Sequence, residues 1–208
     1  MLAIAGGKGG CGKTTTTLGV ARALGTRGDQ PLVVDADRGM PDIHHRVGIE
    51  RTPGLDRLDR TDLSTLARQP SRFPGVDAVP CGTPDRSTLA SALERLRGRH
   101  RPVLVDCPAG AGPDAAVPLR RADASIVVAT PTEQSLRDAA KTAAMARELD
   151  APPTLVVLTR SDGSTEPVAL LGCDDVLHVP EVSAPPLEAE AVADRYAAVA
   201  TRLSKRNI

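Results

Sequence analysis

The stretch Gly7-Lys8-Gly9-Gly10-Cys11-Gly12-Lys13-Thr14 decides the fold of this chain. It follows the short apolar run Leu2–Ala5 and leads into Thr15–Leu24, a segment whose residues favour a helix. Its spacing, a glycine, four residues and then Gly-Lys-Thr, is that of the Walker A motif, which lies between a strand and a helix. An ordinary glycine-rich turn would not require a strand before it and a helix after it. The stretch therefore predicts a phosphate-binding loop.

The residue types of this loop suit phosphate chemistry. Glycines allow the backbone to curl with its amide hydrogens pointing inward, and a helix that begins at Lys13 adds the positive end of its dipole. The Lys13 ammonium would neutralise the terminal phosphates, and the Thr14 hydroxyl would bind the bridging Mg²⁺ ion. The predicted nucleotide-binding residues of the loop are Gly7, Gly9, Gly10, Cys11, Gly12, Lys13, Thr14 and Thr15.

Lys8 adds a second lysine to the loop, at a position where the motif accepts any residue. The chain contains 22 arginines and only 4 lysines, and two of those lysines fall in this loop. A solvated loop charge is the alternative interpretation. The run Lys8–Thr15 resembles the deviant Walker A signature of the MinD/ParA family of ATPases. The resemblance implies that Lys8 reaches across a dimer interface to the partner's phosphates, and that Lys8 and Lys13 take part in catalysis.

Two aspartates follow the predicted strand Leu32–Val34. Asp35 and Asp37 come at the carboxyl end of that strand, where open α/β sheets bind their ligands. The family resemblance implies that Asp37 helps to order the attacking water and the magnesium shell, with Asp35 as its structural companion. Because carboxylates are also favoured helix caps, a purely structural role remains open for both residues.

A second nucleotide motif begins at the end of the apolar run Pro102–Asp106. The residues Asp106-Cys107-Pro108-Ala109-Gly110 resemble a Walker B strand joined to a D-x-P-x-G loop. The resemblance implies that Asp106 holds magnesium through water, in a site shared with Thr14 and Asp37. It also implies that the Gly110 amide meets the γ-phosphate, which would make the loop sensitive to ATP hydrolysis.

The base end of the predicted site departs from the family pattern. Relatives end the corresponding strand in Asn-Arg, whose asparagine reads adenine, whereas this chain has Thr159-Arg160. A threonine makes fewer hydrogen bonds than an amide, and Asp162 could accept from a guanine-like edge or cap a turn. We assign Thr159, Arg160, Pro180 and Glu181 to the base end by resemblance, which also implies ATP as the nucleotide.

Composition bounds the class of protein. The 208 residues are 41% hydrophobic and 25% charged, which is ordinary for one soluble α/β domain. Aromatic residues make up 1% and the formal net charge is zero, so base stacking and a global attraction to nucleic acid or anionic lipid are disfavoured. The start of the chain does not resemble a signal peptide, and we expect a cytoplasmic protein. Four dispersed cysteines favour neither a zinc site nor a disulfide framework.

Three other segments carry weaker expectations. The pair His44-His45 falls in a predicted short helix and is interpreted as a solvated surface pair, because adjacent residues point to different faces. Residues 50–75 alternate in charge and are expected to form an exposed face or a mobile connection. The last predicted helix, about Leu187–Lys205, has a face of Val192, Tyr196, Val199 and Leu203, with Arg195, Arg202, Lys205 and Arg206 elsewhere. That face favours docking on the sheet over membrane binding.

Together these features predict one doubly wound, mainly parallel α/β domain over residues 1–208, with helices on both faces. The leading hypothesis is an ATPase of the MinD/ParA type that requires ATP and Mg²⁺ and forms a homodimer in its ATP state. A regulatory protein partner is expected, and a location at the membrane or a nucleoid DNA partner stays open. The alternatives are an iron–sulfur carrier or an ATP-dependent ligase on the same scaffold, and a nucleotide-binding adaptor that does not hydrolyse.

Overall fold

A computed structural model describes residues 1–205 of the chain, in which seven strands form one sheet. The strands are β1 (Leu2–Gly6), β2 (Leu32–Asp35), β3 (Asp77–Val79), β4 (Val103–Ala109), β5 (Ala124–Ala129), β6 (Pro153–Thr159) and β7 (Val176–Val179). Their order in the sheet is β3-β2-β4-β1-β5-β6-β7, and every paired neighbour is parallel. The predicted fold class is confirmed.

Helices connect these strands and cover both faces of the sheet. They are α1 (Lys13–Thr26), α2 (Ile43–Val47), α3 (Leu63–Leu66), α4 (Arg86–Leu96), α5 (Pro113–Leu119), α6 (Glu133–Glu148), α7 (Val168–Leu171) and α8 (Glu190–Lys205). Alternate residues of the strands point to opposite faces, so β1 sends Ile4 towards α1 and α8, and Ala5 towards the other layer. Because strands buried on both faces need continuous apolar runs, this sheet explains the Val- and Leu-rich segments of the sequence.

The sheet brings the functional candidates to one edge. β4 lies beside β1 and places Asp106 level with Ile4, and β2 lies beside β4 and places Asp35 level with Asp106. All three strands end at the same edge because they are parallel. The phosphate-binding loop follows β1. The carboxylates of Asp106 and Asp35 lie on one side of β1, and strands β5, β6 and β7 lie on the other. This is the location expected for a ligand in a doubly wound sheet.

The expectation for the connecting segment of residues 50–75 is wrong in part. Residues 50–75 are not simply an exposed face, because Leu55, Leu58, Leu66 and Phe73 are buried against the sheet. A 3₁₀ turn at Leu55–Arg57 places Leu55 and Leu58, and the single turn of α3 places Leu66, so these isolated apolar residues are buried without a long amphipathic pattern.

The last helix packs as its apolar face predicts, mainly against α1 and at its edge against β7. Val192, Tyr196, Val199 and Leu203 are all buried. The helix begins three residues later than predicted, at Glu190, after a 3₁₀ turn at Pro186–Glu188. Arg206 lies outside the described residues.

Candidate nucleotide-binding site

The loop after β1 has the backbone shape that phosphate binding requires. Gly10 and Gly12 adopt left-handed conformations, with φ of 76° and 97°, which side chains rarely tolerate. Gly12 caps α1, so the helix begins at Lys13 as predicted. Gly7 lies against the backbone of α6, where a Cβ atom would stand 2.0 Å from the Asp138 carbonyl carbon. The loop is therefore wedged between the start of α1 and the side of α6.

Lys13 and Lys8 occupy opposite environments. Lys13 is only 8% exposed, and its ammonium donates to the Lys8 carbonyl oxygen at 3.5 Å, across the inside of the loop. The Lys8 side chain is exposed, and it makes no hydrogen bond or ion pair within residues 1–205. One lysine thus faces the space that the loop encloses, and the other is exposed at the rim of the loop, where its charge helps to lower the pKa of Asp138.

Asp106 is the centre of a buried hydrogen-bond network. Its carboxylate accepts from the Thr14 hydroxyl at 2.7 Å and from the Thr17 hydroxyl at 3.1 Å. Burial raises the pKa of Asp106 to about 6, although the Thr14 hydrogen bond and the Lys13 charge oppose the shift. Thr17 was not a sequence candidate, but its position one turn after Thr14 on α1 is a signal that could have revealed it.

The donor set at this point fits a magnesium–nucleotide complex. Mg²⁺ prefers oxygen ligands and keeps several waters, so one hydroxyl and one carboxylate beside phosphates suffice. Thr14 and Asp106 supply that pair in direct contact with each other. Among residues 1–205 there is no group of three or more His, Cys, Asp or Glu side chains that could hold a metal ion without a bound nucleotide.

The two aspartates after β2 have different surroundings. Asp35 is fully buried, and its two carboxylate oxygens accept from the amides of Asp37 and Ile43. Burial, followed by the charge of Asp106, raises the pKa of Asp35 to about 8. Asp37 is half-buried, and one of its oxygens accepts from the amides of Gly39 and Met40. Asp35 therefore organises the loop, while Asp37 sits at its surface near the phosphate-binding loop.

The Gly110 amide is engaged in this structure. It donates to the Gly6 carbonyl oxygen at 3.0 Å, and Gly110 adopts a left-handed conformation with φ of 89°. The D-x-P-x-G loop is thereby tied to the end of β1. A contact between this amide and a γ-phosphate would require the hydrogen bond to Gly6 to open.

A cavity of about 180 Å³ lies beside the loop, at the end of the site predicted to hold the nucleobase. All four residues assigned there line it: Thr159, Arg160, Pro180 and Glu181. Thr159 does not present its hydroxyl to the cavity, because that hydroxyl donates to the Cys11 carbonyl oxygen at 2.7 Å. Arg160, in a left-handed conformation, donates to the Gly10 carbonyl oxygen at 2.7 Å. Both side chains thus support the phosphate-binding loop from the end of β6.

The alternative role of Asp162 in reading a base has no support from the geometry. Its carboxylate accepts from the Ser164 amide at 2.9 Å and from the Ser164 hydroxyl at 2.6 Å, so it closes a local turn. These hydrogen bonds lower its pKa. Asp162 also lines a different cavity from the one that Thr159 and Glu181 share.

The interpretation of His44 as a solvated residue is wrong. His44 is buried, and its Nδ1 atom has no hydrogen-bond partner among the described residues. Burial lowers its pKa, with a further contribution from the charge of His45. Only His45 is exposed, and its ring packs on that of His44 with 3.9 Å between the ring centroids. The four cysteines are free and buried.

The fold and the site define a P-loop protein that binds nucleotides. A comparison with protein families matches residues 2–172 to the CobQ/CobB/MinD/ParA nucleotide binding domain. The chain therefore belongs to this family, as its two-lysine loop implied. Within residues 1–205, no helix is both long and apolar enough to cross a bilayer.

Individual relatives agree with this assignment. The chain is 28% identical over 197 residues to an uncharacterized ATP-binding protein of Methanocaldococcus jannaschii, covering 89% of this chain and 73% of that protein. It is 31% identical over 151 residues to a putative septum site-determining protein MinD of Emiliania huxleyi, covering 68% and 56%. The chain thus spans little more than half the length of that MinD protein. MinD of Pyrococcus horikoshii, solved in complex with Mg-ADP, matches with a TM-score of 0.83 and 23% identity, covering 99% of this chain and 96% of that one.

Proposed function

We propose that this chain is an ATP-dependent dimerising switch of the MinD/ParA type, which hydrolyses ATP to ADP and phosphate. The observation that carries the proposal is the contrast between the two lysines of one loop. Lys13 is buried towards the space for phosphate, whereas Lys8 is exposed without a hydrogen bond or ion pair among residues 1–205. A cation at the rim of a phosphate site, whose side chain has neither a hydrogen bond nor an ion pair among residues 1–205 and acts only at longer range on Asp138, suits a phosphate in a second copy of the chain.

The residues around the loop would have separate roles in ATP hydrolysis. Thr14 and Asp106 would hold Mg²⁺, which neutralises charge on the terminal phosphates. Lys13 would stabilise the same charge from within the loop. Asp37 would orient the attacking water, and Lys8 of a second copy would complete the site. Such a reaction depends on positioning and charge, with little covalent chemistry by the protein.

ATP as the nucleotide is supported by the family and by the relative described as an ATP-binding protein. Its γ-phosphate would compete for the Gly110 amide, which now binds Gly6. Opening that hydrogen bond would move the segment between β4 and α5, so the loop would differ between ATP and ADP states. A difference of this kind would allow hydrolysis to reopen the dimer.

A switch of this type needs a partner that distinguishes its ATP-bound state from its ADP-bound state. We propose a regulatory protein that recognises the ATP-bound dimer and stimulates slow hydrolysis, and through it the positioning of a cellular cargo. A peripheral membrane surface or nucleoid DNA is a second possible target, for which the zero net charge offers no general attraction.

The test is the mass of the protein in solution, measured by light scattering with ATP, with ADP and without nucleotide. The account expects a dimer only with ATP and Mg²⁺, and a monomer under all conditions for Lys8→Ala. Lys205→Ala, which removes an exposed lysine at the end of α8, is the matched control and should dimerise like the wild type. A wild-type protein that binds ATP but stays monomeric would contradict the proposal and favour the ligase alternative.

A further inference from the structure

Three segments near the candidate site meet at a single carboxylate. The Asp114 Oδ1 atom accepts from Arg38 Nη1 at 3.0 Å and from Arg86 Nε at 2.6 Å. Arg38 also donates through Nε to the Pro84 carbonyl oxygen at 2.8 Å. We call Arg38, Arg86 and Asp114 the arginine clamp.

Each member of the arginine clamp lies beside a functional segment. Arg38 directly follows Asp37, the proposed water-positioning residue. Asp114 lies in the first turn of α5, four residues after Gly110. Arg86 is the first residue of α4. The clamp therefore joins the loop that carries Asp37 to the helix that follows the D-x-P-x-G loop, and to the β3–α4 connection.

The chemistry of the clamp favours a directional contact. Hydrogen bonds from Arg86, and then the charges of Arg86 and Arg38, lower the pKa of Asp114, so the carboxylate is ionised at neutral pH. The planar guanidinium of Arg38 donates in two directions at once, to Asp114 and to Pro84, which a lysine could not reproduce. The Arg38 side chain is 27% exposed and that of Asp114 46% exposed, so salt can screen the pair.

We propose that Asp114 is a positioning residue, which through Arg38 holds the Asp37 loop in place against the start of α5. The proposal rests on the proposed function, since it takes Asp37 as the residue that orients water. The Asp37 loop is also held by the hydrogen bond from Arg38 to Pro84, by the bonds from Gly39 and Met40 to Asp37 and by the two amides on Asp35. At its start, the Ala36 amide donates to the Asp106 carbonyl oxygen. Met40 is 81% exposed, so packing of its side chain contributes little to holding this loop.

The experiment measures hydrogen exchange of a peptide covering residues 36–43, together with kcat and KM for ATP. Because a partly exposed ion pair contributes up to about 1 kcal/mol, Asp114→Asn should raise exchange and lower kcat about two- to fivefold, with KM nearly unchanged. Asp114→Glu, which keeps the charge, should restore both. Raising the salt concentration should bring wild-type exchange towards that of Asp114→Asn.

Arg38→Gln removes the same contact from its other side together with the hydrogen bond to Pro84, so it should raise exchange at least as much as Asp114→Asn. Asp59→Asn is the control, because it removes a carboxylate from another exposed ion pair, that with Arg60 at 3.0 Å. The proposal is overturned if exchange in residues 36–43 is the same in Asp114→Asn and the wild type, or if Asp59→Asn raises it equally. A wild-type protein without ATP turnover would refute the proposed function instead, and hydrogen exchange would still decide whether the clamp holds the loop.

Discussion

Replacing Gly7 by alanine should destabilise the protein through a contact between backbones. A Cβ atom on Gly7 would lie 2.0 Å from the Asp138 carbonyl carbon, 2.2 Å from its oxygen and 2.5 Å from the Ala139 amide nitrogen. No flexible side chain can move aside there, so either the loop or α6 must shift. Overpacking commonly costs 1–3 kcal/mol, and a clash with helix backbone falls at the upper end, about 3 kcal/mol.

Gly9 provides the matched control for this substitution. A Cβ atom at Gly9 would meet nothing within 4 Å, and its φ is not in the left-handed region. Gly9→Ala should therefore leave the free energy of unfolding unchanged or raise it by about 0.4–1 kcal/mol, because alanine restricts the unfolded chain.

Urea denaturation and thermal melting of the nucleotide-free protein measure both variants. For a chain of this length, a loss of about 3 kcal/mol lowers Tm by about 7 °C. The reasoning is refuted if Gly7→Ala melts with the wild type, or if Gly9→Ala loses as much stability as Gly7→Ala.

Two further predictions concern buried polar groups. Tyr196→Phe removes the hydroxyl that pairs with Thr16 at 3.2 Å, and should lower the free energy of unfolding by about 1 kcal/mol in urea titrations; an unchanged midpoint would contradict this. Because the folded-state pKa values of Asp35 and Asp106 are raised to about 8 and about 6, these two groups keep protons in the native state that the unfolded chain has released, so their contribution to stability should fall as pH rises from 4 to 8. The contribution of Asp106, at most about 1.4 kcal/mol per pH unit, should be lost in Asp106→Asn, so between pH 4 and 6 the stability of the wild type should fall relative to that of the variant; the same pH dependence in both proteins without nucleotide would contradict the assignment.

Much of the fold was predictable because its signals are local. The Walker A spacing, the apolar run before it and the helix after it lie within 24 residues, and the structure reproduces all three. The apolar spacing of Leu89, Leu93 and Leu96 likewise predicts the buried face of α4. Helices α5 and α7 lack such a pattern. The first of them contains Pro113 and Pro118 and is only seven residues long, so its sequence does not indicate a helix.

The parts of the site that escaped prediction depend on contacts between distant residues. Thr159 bonds to Cys11 across 148 positions, and Arg38 bonds to Asp114 across 76. Neither pair forms a spacing that a motif could reveal. The burial of His44 is similar, because it depends on what α2 packs against and not on its own neighbours in sequence. The roles of the predicted site residues in binding and catalysis stay predictions until nucleotide is bound.

The central claim is that Lys8 acts on the site of a second copy, and complementation between variants tests it most directly. Lys8→Ala and Asp37→Ala should each be inactive alone. In a mixed dimer, the site on the Lys8→Ala protomer keeps its own Asp37 and receives Lys8 from its partner, so that site is complete. Because Lys8→Ala does not dimerise with itself, its protomers can pair only with Asp37→Ala, and each mixed dimer has one complete site. Turnover should therefore recover from zero, to at most about half of the wild-type value. A mixture as inactive as its two components would contradict the account.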